Sequence, residues 1–113
     1  MISFKSNCKV YLACGYTDMR KSIDALYAIV RYQLNISPVS NAYFMFCNKD
    51  RDKIKILHWD GSGFWVHYKR QEIGKFRWPL DSASAKQITH RQLQWILGDI
   101  AGEKSIESFE KIV

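Results

Sequence analysis

The spacing of apolar positions changes along this chain, and each change marks an element. Cys8 to Cys14 (CKVYLAC) alternates in character over a short apolar stretch, as a strand does, and Gly15 breaks it. From Asp18 to Leu34 the apolar positions Met19, Ile23, Leu26, Tyr27, Val30 and Leu34 recur at three- and four-residue steps. That period predicts an amphipathic helix, with Thr17 as N-cap and Asp18 in a first turn that suits an acid. Ile36-Ser37-Pro38 ends it, because the residue before proline is pushed out of helical geometry. Ala42 to Asn48 is continuously apolar and aromatic until its last residue, the pattern of a strand buried on both faces.

Period two returns at Lys53–Trp59 and Phe64–Arg70, on either side of Asp60-Gly61-Ser62-Gly63, a hairpin connector. With Gly61 and Ser62 as the loop residues, Trp59 faces Phe64, Leu57 faces Val66 and Lys55 faces Tyr68. The opposite face then pairs Ile54, Ile56 and His58 with Lys69, His67 and Trp65; a one-residue slip would exchange the two sets. The first face is apolar enough for core, whereas the second mixes rings with positive charge. Lys75–Trp78 completes a four-stranded antiparallel meander that Pro79 stops. Leu80 to Ile88 is a polar linker. Thr89 and Gln92 form a capping box, Leu93, Ile96, Leu97 and Ile100 make a helix face, and Gly102 is its stop.

The expected fold class is α+β: an antiparallel four- to five-stranded meander sheet with helices packed on one face. The 113 residues and 47% hydrophobic content suit one domain spanning 1–113, with 1–7 and 103–113 as loose tails. There is no run of about 18 apolar residues to cross a bilayer and no signal-peptide core near Met1, so a cytoplasmic protein without membrane contact is expected. Three cysteines (Cys8, Cys14, Cys47) lack any C-x-x-C spacing and read as reduced thiols rather than a disulfide framework.

Charge narrows the function. The net +6 is uneven: residues 35–48 carry none, while 49–79 carry eight bases against four acids. A basic surface attracts polyanions, although a charged face is often merely solvated. Lys53, Lys55, Lys69, Arg70 and Arg77 would line neighbouring strands among Trp59, Trp65, Tyr68 and Trp78. Cations neutralise phosphates and exposed rings stack unpaired bases, so nucleic acid is the favoured partner. Trp59, Phe64, Phe76 and Trp78 read as core, whereas Trp65 and His67 are divided between core and surface. The candidate nucleic-acid-binding residues are Arg20, Lys21, Lys55, Trp65, His67, Lys69, Arg70 and Arg77.

Other chemistries fare worse. His58 and His67 sit diagonally on one face, but a zinc site takes four protein ligands and no motif supplies the rest; no metal and no cofactor are expected. The acids have structural readings in turns and helix starts, and no G-x-S-x-G or H-E-x-x-H motif is present, so no catalytic residues are assigned and no enzyme is expected. A magnesium-dependent nuclease on Asp18, Asp52 and Asp60 is the least favoured alternative.

Three ordered motifs resemble a known family. They are Thr17-Asp18-Met19-Arg20-Lys21 with Ile23, Asp24 and Leu26; Asp52 with Lys55-Ile56-Leu57 and Trp59-Asp60-Gly61-x-Gly63; and Tyr68-Lys69-Arg70 with Glu72, Gly74, Phe76 and Trp78-Pro79. Together, over about Cys8 to Ile100, the chain resembles the accessory proteins called TnpB, encoded by the second open reading frame of insertion-sequence-66 transposons. Ser22 and Ala25 stand where glycine is expected, and Gln71 where an apolar residue is. The resemblance implies a bacterial, non-catalytic factor needed for DNA transposition beside a separate DDE-type transposase. It implies the transposase and other proteins of the same element as partners, and supplies no catalytic residues. The leading expectation is a factor that binds element DNA, the transposase or both. Its rival is a protein–protein adaptor using Trp65 and the second helix, without DNA contact.

Overall fold

A computed structural model describes residues 4–80 and 84–98. Five strands form one sheet: β1 (Lys9–Ala13), β2 (Ala42–Cys47), β3 (Lys53–Trp59), β4 (Phe64–Arg70) and β5 (Ala85–Ile88), in the order β4-β3-β2-β1-β5. The fold is α+β with a mixed, mostly antiparallel sheet. β2, β3 and β4 make the expected meander, but β1 runs parallel to β2. Parallel neighbours need a crossover, and the first helix supplies it. Among the described residues no helix is long and apolar enough to cross a membrane.

The β3–β4 hairpin has the register expected from sequence, from Trp59↔Phe64 through Lys53↔Arg70. Its turn is fixed by the Asp60 carboxylate, which accepts from the amides of Ser62 and Gly63 at 2.9 Å each. Gly61 takes the positive φ of +101° that this turn requires. All six residues of β2 are buried, as the unbroken apolar run predicts for an inner strand.

Alternation along the strands divides the core in two. Val10, Leu12, Met45, Cys47, Ile54 and Ile56 belong to one cluster; Ala13, Phe44, Phe46 and Leu57 belong to the other. The second cluster is closed by Leu26, Val30 and Leu34 of the first helical segment, and the first by Leu93, Ile96 and Leu97 of the last. The helices therefore cover opposite faces, not one. Helices α1 (Ile23–Ala28) and α2 (His90–Ile96) are both shorter than their apolar patterns suggest.

Each departure has a local cause. Thr17 does not cap α1, because its amide is tied to the Cys47 carbonyl at 2.7 Å. Asp18 instead folds residues 18–21 into a turn, accepting from the Arg20 amide with its side chain and the Lys21 amide with its carbonyl. The helix starts after Ser22, continues as a π-helical turn over Ile29–Gln33, and stops at Asn35 with φ +57°. The Ile36 amide then bonds to the Val30 carbonyl six residues back, at 3.1 Å, one residue wider than a Schellman closure, and so ends the helix before Pro38 acts. Helix α2 has the expected Thr89–Gln92 capping box, but stops at Gly98 (φ +85°); Ile100, Gly102 and 103–113 lie outside the described residues.

The expected strand at 75–78 is a plug. Phe76 and Trp78 drop into the α2-side core, fastened by the Phe76 amide on the Arg51 carbonyl and the Trp78 indole on the Ala13 carbonyl. The strand beside β1 comes instead from Ala85–Ile88, within the stretch read as a linker.

Candidate functional site

Bases gather at one end of the sheet rather than over one face. That end is built by the loop after β1 (14–22), the turn after β2 (48–52) and the close of β4. Between them lies an open groove of about 580 Å³ lined by Tyr16, Asp18, Arg20, Asn48, Lys49, Asp50, Lys53 and Tyr68, among others. Lys21, Lys55 and Arg70 flank it, while Arg51 acts electrostatically on Cys47 at the end of β2 and Lys75 on Asp52 of the turn. The connection at 35–41, between the first helix and β2, carries no charge.

Local chemistry holds this end rigid. Asn48 organises its turn: its side-chain oxygen accepts from the Asp52 and Lys53 amides at 3.0 and 2.9 Å, and its amide donates to Asp52 at 2.6 Å. Arg51 completes the turn at φ +57°. The Asn48 bond, then Lys53, hold the Asp52 carboxyl below its usual range. Arg20 grips Asp18 as a fork, Nε at 3.1 Å and Nη2 at 2.7 Å, holding the Asp18 carboxyl at about 2. The Lys55 ammonium donates to the Lys21 carbonyl at 2.8 Å, pinning the loop to β3. Arg70 donates to Glu72 at 2.6 Å. These surface pairs leave most guanidinium donors turned to water and contribute little stability.

The eight residues singled out in the sequence do not form one surface. Arg20, Lys21, Lys55 and Arg70 meet at the α1 side of the basic end. Trp65, His67 and Lys69 point to the other face, as the alternation of β4 requires. There Lys69 donates to the Leu97 carbonyl at 2.6 Å, closing the C-terminus of α2, and Arg77 stacks over Trp95 at 4.4 Å. Trp65 is 57% exposed, its indole N–H held by Asp60 at 2.7 Å and its ring parallel to His67. Sequence reasoning missed Tyr16 and Lys49 as groove residues, and it named Tyr68 only among the rings interleaved with the bases. Only the loops that join distant segments reveal them.

Trp59 and Phe64, expected in the core, are only partly buried, whereas Phe76 and Trp78 are buried as expected. His58 is buried against Tyr43, ring centroids 4.2 Å apart, and its Nδ1 lies 3.4 Å from the Ala42 carbonyl. Burial first, and His58 second, push the His67 pKa down. Among the described residues no three His, Cys, Asp or Glu side chains cluster as a metal site. The carboxylate trio fails for a simple reason: Asp52 and Asp60 flank the two ends of seven-residue β3, about 25 Å apart.

The class defined so far is a small basic α+β domain with a cluster of bases on the loops and strand ends at one end of its sheet. Comparison with known proteins gives it a family. The family model described as IS66 Orf2 like protein matches residues 8–106, and the chain belongs to that family. Among relatives, the uncharacterized protein y4hO of Sinorhizobium fredii is 31% identical over 100 residues, covering 88% of this chain and 87% of that protein. The uncharacterized protein y4jC of the same organism is 32% identical over 79 residues, covering 70% and 68%. No solved structure matches. Membership supports the accessory role in transposition implied by the three motifs.

Proposed function

We propose that this protein is a non-catalytic accessory factor of transposition that binds the DNA of its element through the basic end of its sheet. The observation that carries the reading is the meeting of Arg20, Lys21, Lys49, Lys53, Lys55 and Arg70 around one groove, from three separate segments of chain. Exposed Tyr16 and Tyr68, at 44% and 54%, add rings on which unpaired bases can stack. Lys69 and Arg77 serve the fold on the other face, so the DNA surface excludes them.

The test is fluorescence anisotropy with terminal DNA of the element between about 50 and 200 mM salt. The Lys49→Ala/Lys53→Ala variant should bind more weakly and lower the log–log salt slope by about 2, at roughly 0.9 per lost phosphate contact. Arg77→Ala should leave both unchanged. Binding that ignores salt, or that survives the double substitution, would defeat the reading. The exposed Trp65 favours a second reading, an adaptor for the transposase, and transposase capture that is lost in Trp65→Ala but indifferent to salt would establish it.

A further inference from the structure

The sheet has two edges, and they differ. β5 is four residues long with Lys86 and Gln87 exposed, a short and polar edge of the kind that resists pairing. β4 is seven residues long and carries two large exposed rings, Trp65 and Tyr68. Among the described residues, the segment that follows β4 does not shield it: the Gln71 amide turns back to Asp52 and the Phe76 amide to Arg51, leading into the core.

Which backbone groups of β4 face outward follows from its turn. The Asp60 amide bonds the Gly63 carbonyl at 3.0 Å, and hydrogen-bonded pairs alternate along an antiparallel ladder. His58–Trp65, Ile56–His67 and Ile54–Lys69 are therefore the bonded pairs with β3. Phe64, Val66, Tyr68 and Arg70 turn their amides and carbonyls to the open side. No described group outside β4 bonds to those amides.

We propose that β4 pairs with β4 of a second copy of this chain, antiparallel and centred on His67, joining two sheets into one. A two-fold antiparallel pair must centre on a residue, since only then do outward groups meet outward groups. Centring on His67 engages the whole strand: Phe64 faces Arg70 of the copy, Trp65 faces Lys69 and Val66 faces Tyr68. Each base on the edge thus stands opposite an aromatic residue, and no like charges face each other across the seam. Centring on Lys69 sets two ammonium groups against each other. Centring on Val66 or Tyr68 strands one end of β4 outside the ladder. Burial and the neighbouring His58 hold the His67 pKa below its ordinary value, which favours the uncharged ring where it meets its twin. This pairing is argued from the edge of β4 and not from DNA binding, although Tyr68 and Arg70 belong to both surfaces, and it sends the two basic ends to opposite ends of the joined sheet.

The test is site-directed cross-linking of the full chain. At a non-hydrogen-bonded centre the Cα atoms lie about 4.5 Å apart, within disulfide range. The His67→Cys variant should form a disulfide-linked dimer under mild oxidation, with mass spectrometry locating the bond between the two copies of the substituted position. Val66→Cys, which faces Tyr68 instead, should not. Sedimentation of the unmodified chain should show a dimer, and Val66→Pro, which removes an outward amide along with a half-buried side chain, should weaken it at least about tenfold while circular dichroism stays native. A monomer at all concentrations, or cross-linking of Val66→Cys as readily as His67→Cys, would overturn the proposal.

Discussion

Phe76 and Trp65 are both large rings in the stretch richest in aromatics, and the structure assigns them opposite fates. Phe76 lies in no strand or helix, yet it is 1% exposed and belongs to the cluster under α2. Truncating a buried phenylalanine removes its transfer energy and leaves a cavity, for about 3–5 kcal/mol. Against a total of roughly 5–15 kcal/mol for a domain, that is a third or more of the stability. Trp65 keeps more than half its surface in water, so its removal forfeits little burial and one exposed hydrogen bond, for under about 1 kcal/mol. The assay is urea unfolding of Phe76→Ala and Trp65→Ala followed by far-ultraviolet circular dichroism, with equal slopes required before midpoints are compared. In thermal melts, at roughly 4 °C per kcal/mol for this size, the two midpoints should differ by about 8 °C or more. Comparable losses from the two substitutions would refute the assignment of the 71–80 segment as a core plug.

Other consequences are as direct. Thr89→Ala removes the cap of α2 and should cost about 1 kcal/mol in the same unfolding measurement. Asn35 holds φ +57° where the first helix stops, so Asn35→Gly should be nearly neutral and Asn35→Val should cost about 1–2 kcal/mol. Asp18 should titrate near pH 2 by carboxyl NMR, and Arg20→Ala should return it towards 3.8, since the Arg20 bonds are the main cause. Because the folded carboxyl is the stronger acid, this pair stabilises the fold above about pH 4 and stops doing so as pH falls through 2. Burial pushes the Cys47 thiol up to about 12, so it should resist alkylation in the native protein at about pH 8 and react once unfolded.

The hairpin register was legible because Asp60-Gly61-Ser62-Gly63 and a period of two leave one pairing that keeps faces consistent. Strands β1 and β2 were legible for similar reasons. The unbroken apolar run Ala42–Cys47 also implies more than a strand: burial on both faces demands cover on both faces. Helices on opposite sides follow from that, and the expected one-sided packing contradicts it. The exchange of strand and linker has a different origin. Lys75–Trp78 has strand-like residues, but Phe76 and Trp78 use that alternation to reach one core from an irregular segment. Ala85–Ile88 looks polar because an edge strand has little inward surface; Ala85 is half-buried and Ile88 buried, with Lys86 and Gln87 in water. Propensity sees the residues, while the sheet position is set by β1, at the far end of the chain.

The site was half legible for a related reason. Counting charges along 49–79 finds the basic excess, but assigning it to a face requires knowing where each strand ends. Within a strand, alternation sends neighbours such as Lys69 and Arg70 to opposite faces, so a run of bases cannot build one surface there. Loops at a common sheet end escape that constraint. The β1–α1–β2 crossover sets the carboxyl ends of two parallel strands side by side, and the loops leaving them, 14–22 and 48–52, line the groove. Ligands of open sheets gather outside such strand ends, where adjacent connections part company. Function on this fold is therefore expected to track substitutions in those two loops, at the start of β3 and at the close of β4. A loop exchange at 48–53 that preserves Asn48 and Asp52 but removes Lys49 and Lys53 should keep the fold, because the turn's bonds come from the first pair and its charge from the second.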